Sequence, residues 1–224
     1  MSIRHRILVV VCLLAAGVSL RAQTTAIDRW AAAVGGRDKV AAIKAIYREG
    51  TITVGGQTGT IKVWHTRDGK YRKEEQVGTF SMVETYDGTN GVVQQGTMAP
   101  HAMGAPELAL ARSRAFANAN AMFFAFFPER RRGKAAIEPD DTIVLTPDGG
   151  VDWRVTLDPE TSLPKTMVHQ QNDRTVTVTF ASYETVDGVR LEKEIHRSAG
   201  NFDAVIRFTK TVINPPVEAS LFAQ

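Results

Sequence analysis

Apolar and polar residues alternate with a period of two through most of the chain after Tyr47. The alternation is clearest at 58–66, 153–157, 175–180 and 204–209. A strand with one buried face has this period, because successive side chains point to opposite faces of the sheet. The pattern predicts about ten or eleven strands, mostly paired with antiparallel neighbours. Dipeptides that favour tight hairpin turns separate the runs: Gly55-Gly56, Asp68-Gly69, Asp87-Gly88, Asp148-Gly149, Asn172-Asp173 and Asp187-Gly188.

The segment before these strands has helical spacing instead. Thr25 and Asp28 form a capping-box pair at the start of a first helix. Gly35-Gly36 ends this helix, since glycine readily adopts the left-handed conformation of a helix cap. A second helix is predicted over roughly 38–46. The inner faces of the two helices carry Ile27, Trp30, Ala31 and Val34, then Val40, Ile43 and Tyr47.

Residues 105–127 are rich in Ala, Leu and Phe, and they predict one long helix that ends at Pro128. Its apolar arc is wider than contact with one sheet face requires. Two interpretations remain open: the helix is buried against the sheet, or it also lines a cavity for an apolar ligand. The candidate lining residues of such a cavity are Met122, Phe123, Phe126 and Phe127, with Trp64, Trp153 and Phe180 from the strands.

The N-terminus has the pattern of a secretory signal peptide. Arg4 and Arg6 precede an apolar run at 7–18, and a small residue, Ala22, marks the expected cleavage site. With Arg21, three of the 27 bases lie in this segment, so 24 bases face 24 acids in the expected mature chain. A chain without excess positive charge is not expected to bind nucleic acid.

Removal of residues 1–22 would also remove Cys12, the single cysteine. We therefore expect no disulfide and no cysteine ligand in the mature chain, and lipidation at Cys12 is not favoured because bulky Val11 precedes it. The apolar run is too short to span a membrane, so no transmembrane segment is expected after cleavage. Length and composition predict one domain over residues 23–224, and the strand and helix patterns make it a sheet-dominated α+β domain.

Motifs for catalysis are lacking. The chain has neither a Gly-x-Ser-x-Gly elbow nor a phosphate-binding glycine loop. The histidines at 65, 101, 169 and 196 lack metal-ligand spacing, and adjacent acids such as Glu74 and Glu75 would point to opposite faces of a strand. We expect no enzyme activity, catalytic residue, metal or cofactor. A hydrolase or metal enzyme assembled across strands stays open as a minor alternative, and the arginines at 130–132 are interpreted as a solvated loop rather than a phosphate site.

Several short motifs, taken in order, resemble the periplasmic carriers of the LolA superfamily, which sort outer-membrane lipoproteins. The resemblance extends over 26–222, and no functional residue of the family can be assigned to a position here. It implies a single, strongly curved antiparallel sheet, an incomplete barrel, whose concave face is plugged by helices and binds acyl chains of lipoproteins. The motifs are Gly35-Gly36 with Val40, Ile43 and Gly50-Thr51, then the segments 157–164, 183–191 and 213–217 with Leu221-Phe222.

Two functional hypotheses follow from the resemblance and the export signal. The first is a non-catalytic periplasmic carrier or binder of lipids or lipidated proteins, with the acyl chain in an apolar concave cavity. The second is an envelope sensor or interaction module with a filled core, which would contact a protein partner at its strand edges. A large concavity beside residues 105–127 would favour the carrier, and close packing there would favour the module.

Overall fold

Residues 24–223, which the computed structural model describes, contain thirteen β-strands that join into one antiparallel sheet. The predicted signal peptide and its Cys12 lie outside the described residues. The strands are β1 (Ala45–Val54), β2 (Gln57–Thr66), β3 (Tyr71–Val77), β4 (Phe80–Tyr86), β5 (Gly91–Gln95), β6 (His101–Ala102), β7 (Gly133–Ile137), β8 (Ile143–Pro147), β9 (Trp153–Leu157), β10 (Pro164–Gln171), β11 (Arg174–Val186), β12 (Val189–Ala199) and β13 (Phe202–Ile213).

The strand order is β6-β5-β4-β3-β2-β1-β13-β12-β11-β10-β9-β8-β7. Apart from β6 and β7, strands that follow one another in sequence pair with each other, and the first and last strands pair at the middle of the sheet. Within residues 24–223 the edge strands β6 and β7 do not pair, so the sheet is open. Glu84 of β4 and Trp153 of β9 belong to opposite halves of this order, yet they line the same small cavity. The sheet is therefore curved, which confirms the predicted incomplete barrel.

The strand count exceeds the prediction because the two edge strands lack an alternating pattern. β6 has two residues, both exposed, and β7 has no fully buried side chain among its five residues. Neither segment carries the period-two signal on which the sequence-based count depended.

The two N-terminal helices are α1 (Ala26–Ala33) and α2 (Arg37–Ala42). The capping box of Thr25 and Asp28 is present at the start of α1, as predicted. Gly35 has a positive φ of 117°, and a Cβ there would lie 2.3 Å from the carbonyl oxygen of Gly188. The turn after α1 therefore needs glycine both for its conformation and for its contact with the β11–β12 hairpin.

The second helix is shorter than the predicted span of 38–46. The chain becomes extended at Ile43, and β1 begins at Ala45, where it pairs with Thr66 of β2. Tyr47, expected on the inner face of the helix, instead lies in β1 opposite Trp64. Pairing with two neighbouring strands outweighs the local helical spacing.

The predicted helix at 105–127 is divided in two. Its parts are α3 (Ala105–Arg114) and α4 (Ala121–Phe126), separated by a 3-10 turn at Asn118–Asn120. The side-chain amide of Asn120 donates hydrogen bonds to the carbonyl oxygens of Ala115 (2.6 Å) and Thr66 (3.3 Å). These bonds satisfy a carbonyl at the end of α3 and tie the break to β2. Among the described helices, none is long and apolar enough to cross a membrane.

The hydrophobic core fills one half of the sheet's inner face, which we define as the face that carries the helices. There α4 packs against α1, with the rings of Trp30 and Phe126 5.0 Å apart in an edge-to-face arrangement. In the opposite half, Ala111 and Ala115 pack with Tyr71, Tyr86 and Met103 in a second, smaller cluster. The sheet contributes these fully buried side chains to the core: Ile46, Ile143, Leu145, Val155, Met167, Leu191 and Ile195.

Candidate functional site

A groove of about 710 Å³ runs between α3 and the inner face of the sheet. Its mouth lies at the tips of the β3–β4 and β12–β13 hairpins, where Phe80 and Phe202 are 42% and 36% exposed. Large exposed apolar side chains beside a concave apolar surface are typical of a binding site. The apolar lining consists of Ile52, Val54, Val77, Phe80, Met82, Val93, Met103, Pro106, Leu110 and Phe202.

The floor of the groove is polar and centres on Glu84, whose side chain is 4% exposed. Nη1 of Arg114 lies 2.9 and 3.0 Å from its two carboxylate oxygens, and Nζ of Lys73 lies 3.5 Å away. The Tyr71 hydroxyl donates a further hydrogen bond to Glu84. Burial by itself would raise the pKa of Glu84, but Lys73 and Arg114 outweigh it and lower that pKa to about 2. Glu84 is therefore a carboxylate at neutral pH.

Glu75 and Arg197 complete this floor. Nζ of Lys73 also contacts Oε1 of Glu75, at 3.2 Å. Arg197 extends from the inner face of β12 and lines the groove beside Arg114. Burial, and secondly the charge of Arg114, lower the pKa of Arg197. A guanidinium nevertheless stays protonated in proteins, so Arg197 carries its charge into the groove.

A smaller cavity of about 100 Å³ lies behind the polar floor, which lines both spaces. His65 and His169 face this inner cavity. Burial lowers the pKa of His65 to about 3, with help from Arg48 and Lys73, and burial lowers the pKa of His169 to about 4. Both imidazoles are neutral at pH 7. The ring of His169 stacks on Trp153 with centroids 4.0 Å apart, so packing accounts for its position.

The sequence-predicted ligand residues of the α4 segment lie in the packed core. Met122, Phe123 and Phe126 are at most 4% exposed and Phe127 is 9% exposed. In the described part of the chain, these four side chains line neither the groove nor the inner cavity. The structure thus favours the buried interpretation for this half of the predicted helix. It is α3, the other half, that lines a groove.

The three strand residues of the predicted site do not come together either. Trp153 lines the inner cavity, and Phe180 packs in the core beside Tyr183. Trp64 lies on the outer face of the sheet, because its neighbours Val63 and His65 point inward, and its ring centroid is 4.8 Å from that of Tyr47. Trp64 is thus separated from the inner-face groove by the sheet itself.

Sequence reasoning missed the charged floor. Lys73, Glu75 and Glu84 occupy inward positions on β3 and β4. The alternation of inward and outward residues along these strands could have identified them as inward-facing. The expectation that Glu74 and Glu75 point to opposite faces is confirmed: Glu74 pairs with Arg72, on the other side of the sheet from Lys73 and Glu75.

The remaining motifs with candidate chemistry have local roles. Arg131 donates a hydrogen bond to the carbonyl oxygen of Phe124 at 3.0 Å, at the end of α4, where unpaired carbonyls need donors. Among residues 24–223, no group of three or more His, Asp or Glu side chains is arranged to hold a metal ion. The expectation of no enzyme activity stays a prediction.

Comparison with known proteins identifies the fold. A scan against protein-family models and a search of curated proteins found no match. Among solved structures, a DUF1329 family protein from Desulfovibrio piger has a TM-score of 0.55 at 14% identity, covering 88% of this chain and 95% of that one. A LolA superfamily protein from Nitrosomonas europaea has a TM-score of 0.52 at 10% identity, covering 82% and 91%. The chain has the LolA-like fold.

A third solved structure agrees with this assignment. A putative outer-membrane lipoprotein-sorting protein domain from Vibrio parahaemolyticus has a TM-score of 0.51 at 8% identity, covering 80% of this chain and 89% of that one. The LolA-like resemblance detected in the sequence motifs is therefore confirmed at the level of fold. At these identities the likeness is one of architecture.

Proposed function

We propose that this protein binds an acyl chain in the groove beneath α3, as a non-catalytic carrier or binder of lipids or lipidated proteins. The observation that carries the proposal is the groove itself, of about 710 Å³, with its apolar walls and exposed phenylalanines at the mouth. The alternative of an interaction module with a filled core does not account for an open groove of this size.

The groove has the capacity for such a ligand. Its volume falls within the range of roughly 300–1,000 Å³ that small-molecule sites occupy. Burial of about ten to twelve methylenes, at about 0.8 kcal/mol each, supplies roughly 8–10 kcal/mol before the costs of association. Met82 and Met103 in the walls adapt to ligand shape, since methionine is flexible and polarizable. We therefore expect affinity for acyl chains with little selectivity for chain length.

The fold and the N-terminal pattern support the same proposal. The solved structures with this fold include one described as a lipoprotein-sorting domain and one from the LolA superfamily. The expected export signal at 1–22, with cleavage after Ala22, would deliver the chain to the periplasm as a single domain of residues 23–224. There its partners would be a lipid or lipidated protein and an envelope protein that donates or accepts it.

The test is to fill the groove. Met82 lies on the inner face of β4, and Val83 beside it points to the outer face. Met82→Trp places an indole in the groove, whereas Val83→Trp adds the same ring outside it. We expect Met82→Trp to weaken binding of myristate by about tenfold or more, because the indole would displace roughly two methylenes of the chain from the groove. Calorimetric titration of the detergent-free protein measures the affinity, and Val83→Trp is the matched control.

Two outcomes would contradict the proposal. One is a wild-type protein that takes up no myristate at millimolar protein and ligand. The other is a Met82→Trp variant that keeps the stability and the myristate affinity of wild type, which would place the chain elsewhere.

A further inference from the structure

The charged side chains on the groove floor do not balance. Within residues 24–223, the floor contains the cations Lys73, Arg114 and Arg197 and the carboxylates Glu75 and Glu84. Lys73 contacts both carboxylates, and Arg114 binds Glu84 through both oxygens. Both acids are therefore neutralised by these two bases, and the charge of Arg197 is left over.

Arg197 has no polar partner that would explain its position. Its guanidinium makes no hydrogen bond and no ion pair with any residue of 24–223, and its Nε is buried and unsatisfied. The ring of Phe202 lies 5.4 Å from the guanidinium carbon. The strand neighbours of Arg197 across the inner face, Val178 and Ala204, are apolar. A guanidinium has five N–H donors, so this arrangement leaves most of its hydrogen-bonding capacity unused.

Such a residue lowers the stability of the empty protein. Partial burial of a guanidinium without a hydrogen-bond partner costs free energy, and burial lowers the pKa of Arg197 on balance although the charges of Glu75 and Glu84 attract it. Arg197 also lies close enough to Arg114 for the two positive charges to repel each other. An anion placed between the groove and the inner cavity would contact Arg197 and remove both costs, since Arg197 lines both spaces.

We propose that Arg197 binds the anionic head group, a carboxylate or a phosphate, of a single-chain lipid whose acyl chain lies in the groove. This inference rests on the proposed function and specifies its ligand class. The head group occupies the polar floor beside Arg197, and the chain extends along the apolar walls on the β3–β5 side of the groove. Gln171, whose side chain accepts a hydrogen bond from Arg114 at 3.3 Å, also lines the groove.

The experiment separates the head group from the chain. Calorimetry would compare myristate, myristoyl-lysophosphatidylglycerol and the uncharged monomyristoylglycerol on wild type and on Arg197→Gln. We expect wild type to prefer the anionic lipids by about tenfold or more, in line with a hydrogen bond to a charged group. Arg197→Gln should lose this preference and keep its affinity for monomyristoylglycerol. A preference for only one anion would support the proposal and identify the source as a fatty acid or a phospholipid.

Two further variants keep the result interpretable. Arg190→Gln removes the same charge from an exposed position on the same strand, and it should keep the wild-type preference. Arg197→Lys retains the charge and should restore part of the preference. We also expect Arg197→Gln to keep or raise Tm, because an unpaired buried charge is removed. A clear fall in Tm would indicate a structural role instead and would contradict the proposal.

The two proposals fail in different ways. If wild type binds all three lipids equally, or if Arg197→Gln keeps the anion preference, the head-group proposal is wrong and groove binding stands. If wild type binds none of the three, the proposed function is wrong as well.

Discussion

Arg114 of α3 binds both carboxylate oxygens of Glu84 on β4, at 2.9 and 3.0 Å from the same guanidinium nitrogen. This contact joins the helix above the groove to the sheet below it. Lys73, directly opposite Glu84 on β3, and the Tyr71 hydroxyl satisfy the rest of the carboxylate. A buried ionic network thus fixes α3 to the sheet.

Glu84→Gln is expected to destabilise the protein by about 3 kcal/mol. The substitution leaves Arg114 and Lys73 without their shared counter-charge in a poorly hydrated site, and loss of one partner of a buried pair costs about 3–5 kcal/mol. Chemical denaturation followed by circular dichroism gives the free energy of unfolding. Glu138→Gln is the matched control, because Glu138 pairs with Arg154 at the surface, where such pairs contribute about 0–1 kcal/mol. Equal losses in the two variants would show that the buried network does not stabilise the fold.

Phe123→Ala and Phe127→Ala should lower stability by about 3–5 kcal/mol each and leave myristate affinity unchanged in the folded protein. Both rings are buried in the core beside α4, so truncation creates a cavity. Phe202→Ala at the groove mouth should do the reverse, with a severalfold loss of affinity and little loss of stability, because its ring is 36% exposed. Weaker myristate binding by the folded Phe123→Ala or Phe127→Ala variant would indicate that the acyl chain binds at α4 instead of in the groove.

Acidification from pH 7 to pH 5 is expected to reduce the free energy of unfolding through His169, whose pKa burial lowers to about 4, and through His65. The pKa of His65 is about 3 in the folded protein and near the ordinary value of 6.5 in the unfolded chain. Between these values the unfolded chain binds a proton that the folded protein does not. The free energy of unfolding therefore decreases as the pH falls, by up to about 1.4 kcal/mol per pH unit. Glu84 contributes only below its ordinary value of 4.5, outside this range.

Denaturation curves at pH 7 and pH 5 measure this slope. His65→Gln should reduce it, by about 1 kcal/mol or more over the interval. His196→Gln removes an exposed imidazole next to Glu194 and serves as the matched control. An unchanged slope in His65→Gln would mean that this imidazole is accessible to protons in the folded state.

The architecture was predictable because its signals are local. Period-two alternation and hairpin dipeptides identify antiparallel neighbours, and Thr25 with Asp28 marks the start of α1. The errors arise where a distant partner decides the structure. The chain at Ala45 enters β1 because it pairs with Thr66, and the 105–127 helix is divided where Asn120 bonds to the carbonyl of that same residue.

The site was harder to predict than the fold. The apolar content of residues 121–127 favoured a ligand site there. The most apolar helix instead lies in the core, and the groove lies beneath the more polar α3. Alternation places Lys73 and Glu84 on inward positions, yet charged residues usually face water. Only their three-dimensional proximity to Arg114 shows that these charges are paired and buried.

The most direct test of the account is to find where a bound acyl chain lies. The protein would be loaded with a myristate analogue that carries a diazirine near its methyl end, irradiated, digested and analysed by mass spectrometry. We predict labelled peptides from β3 to β5 and from α3, around Val77, Met82, Val93 and Leu110. Labels confined to residues 121–127, or labelling that unlabelled myristate does not reduce, would contradict the groove as the binding site.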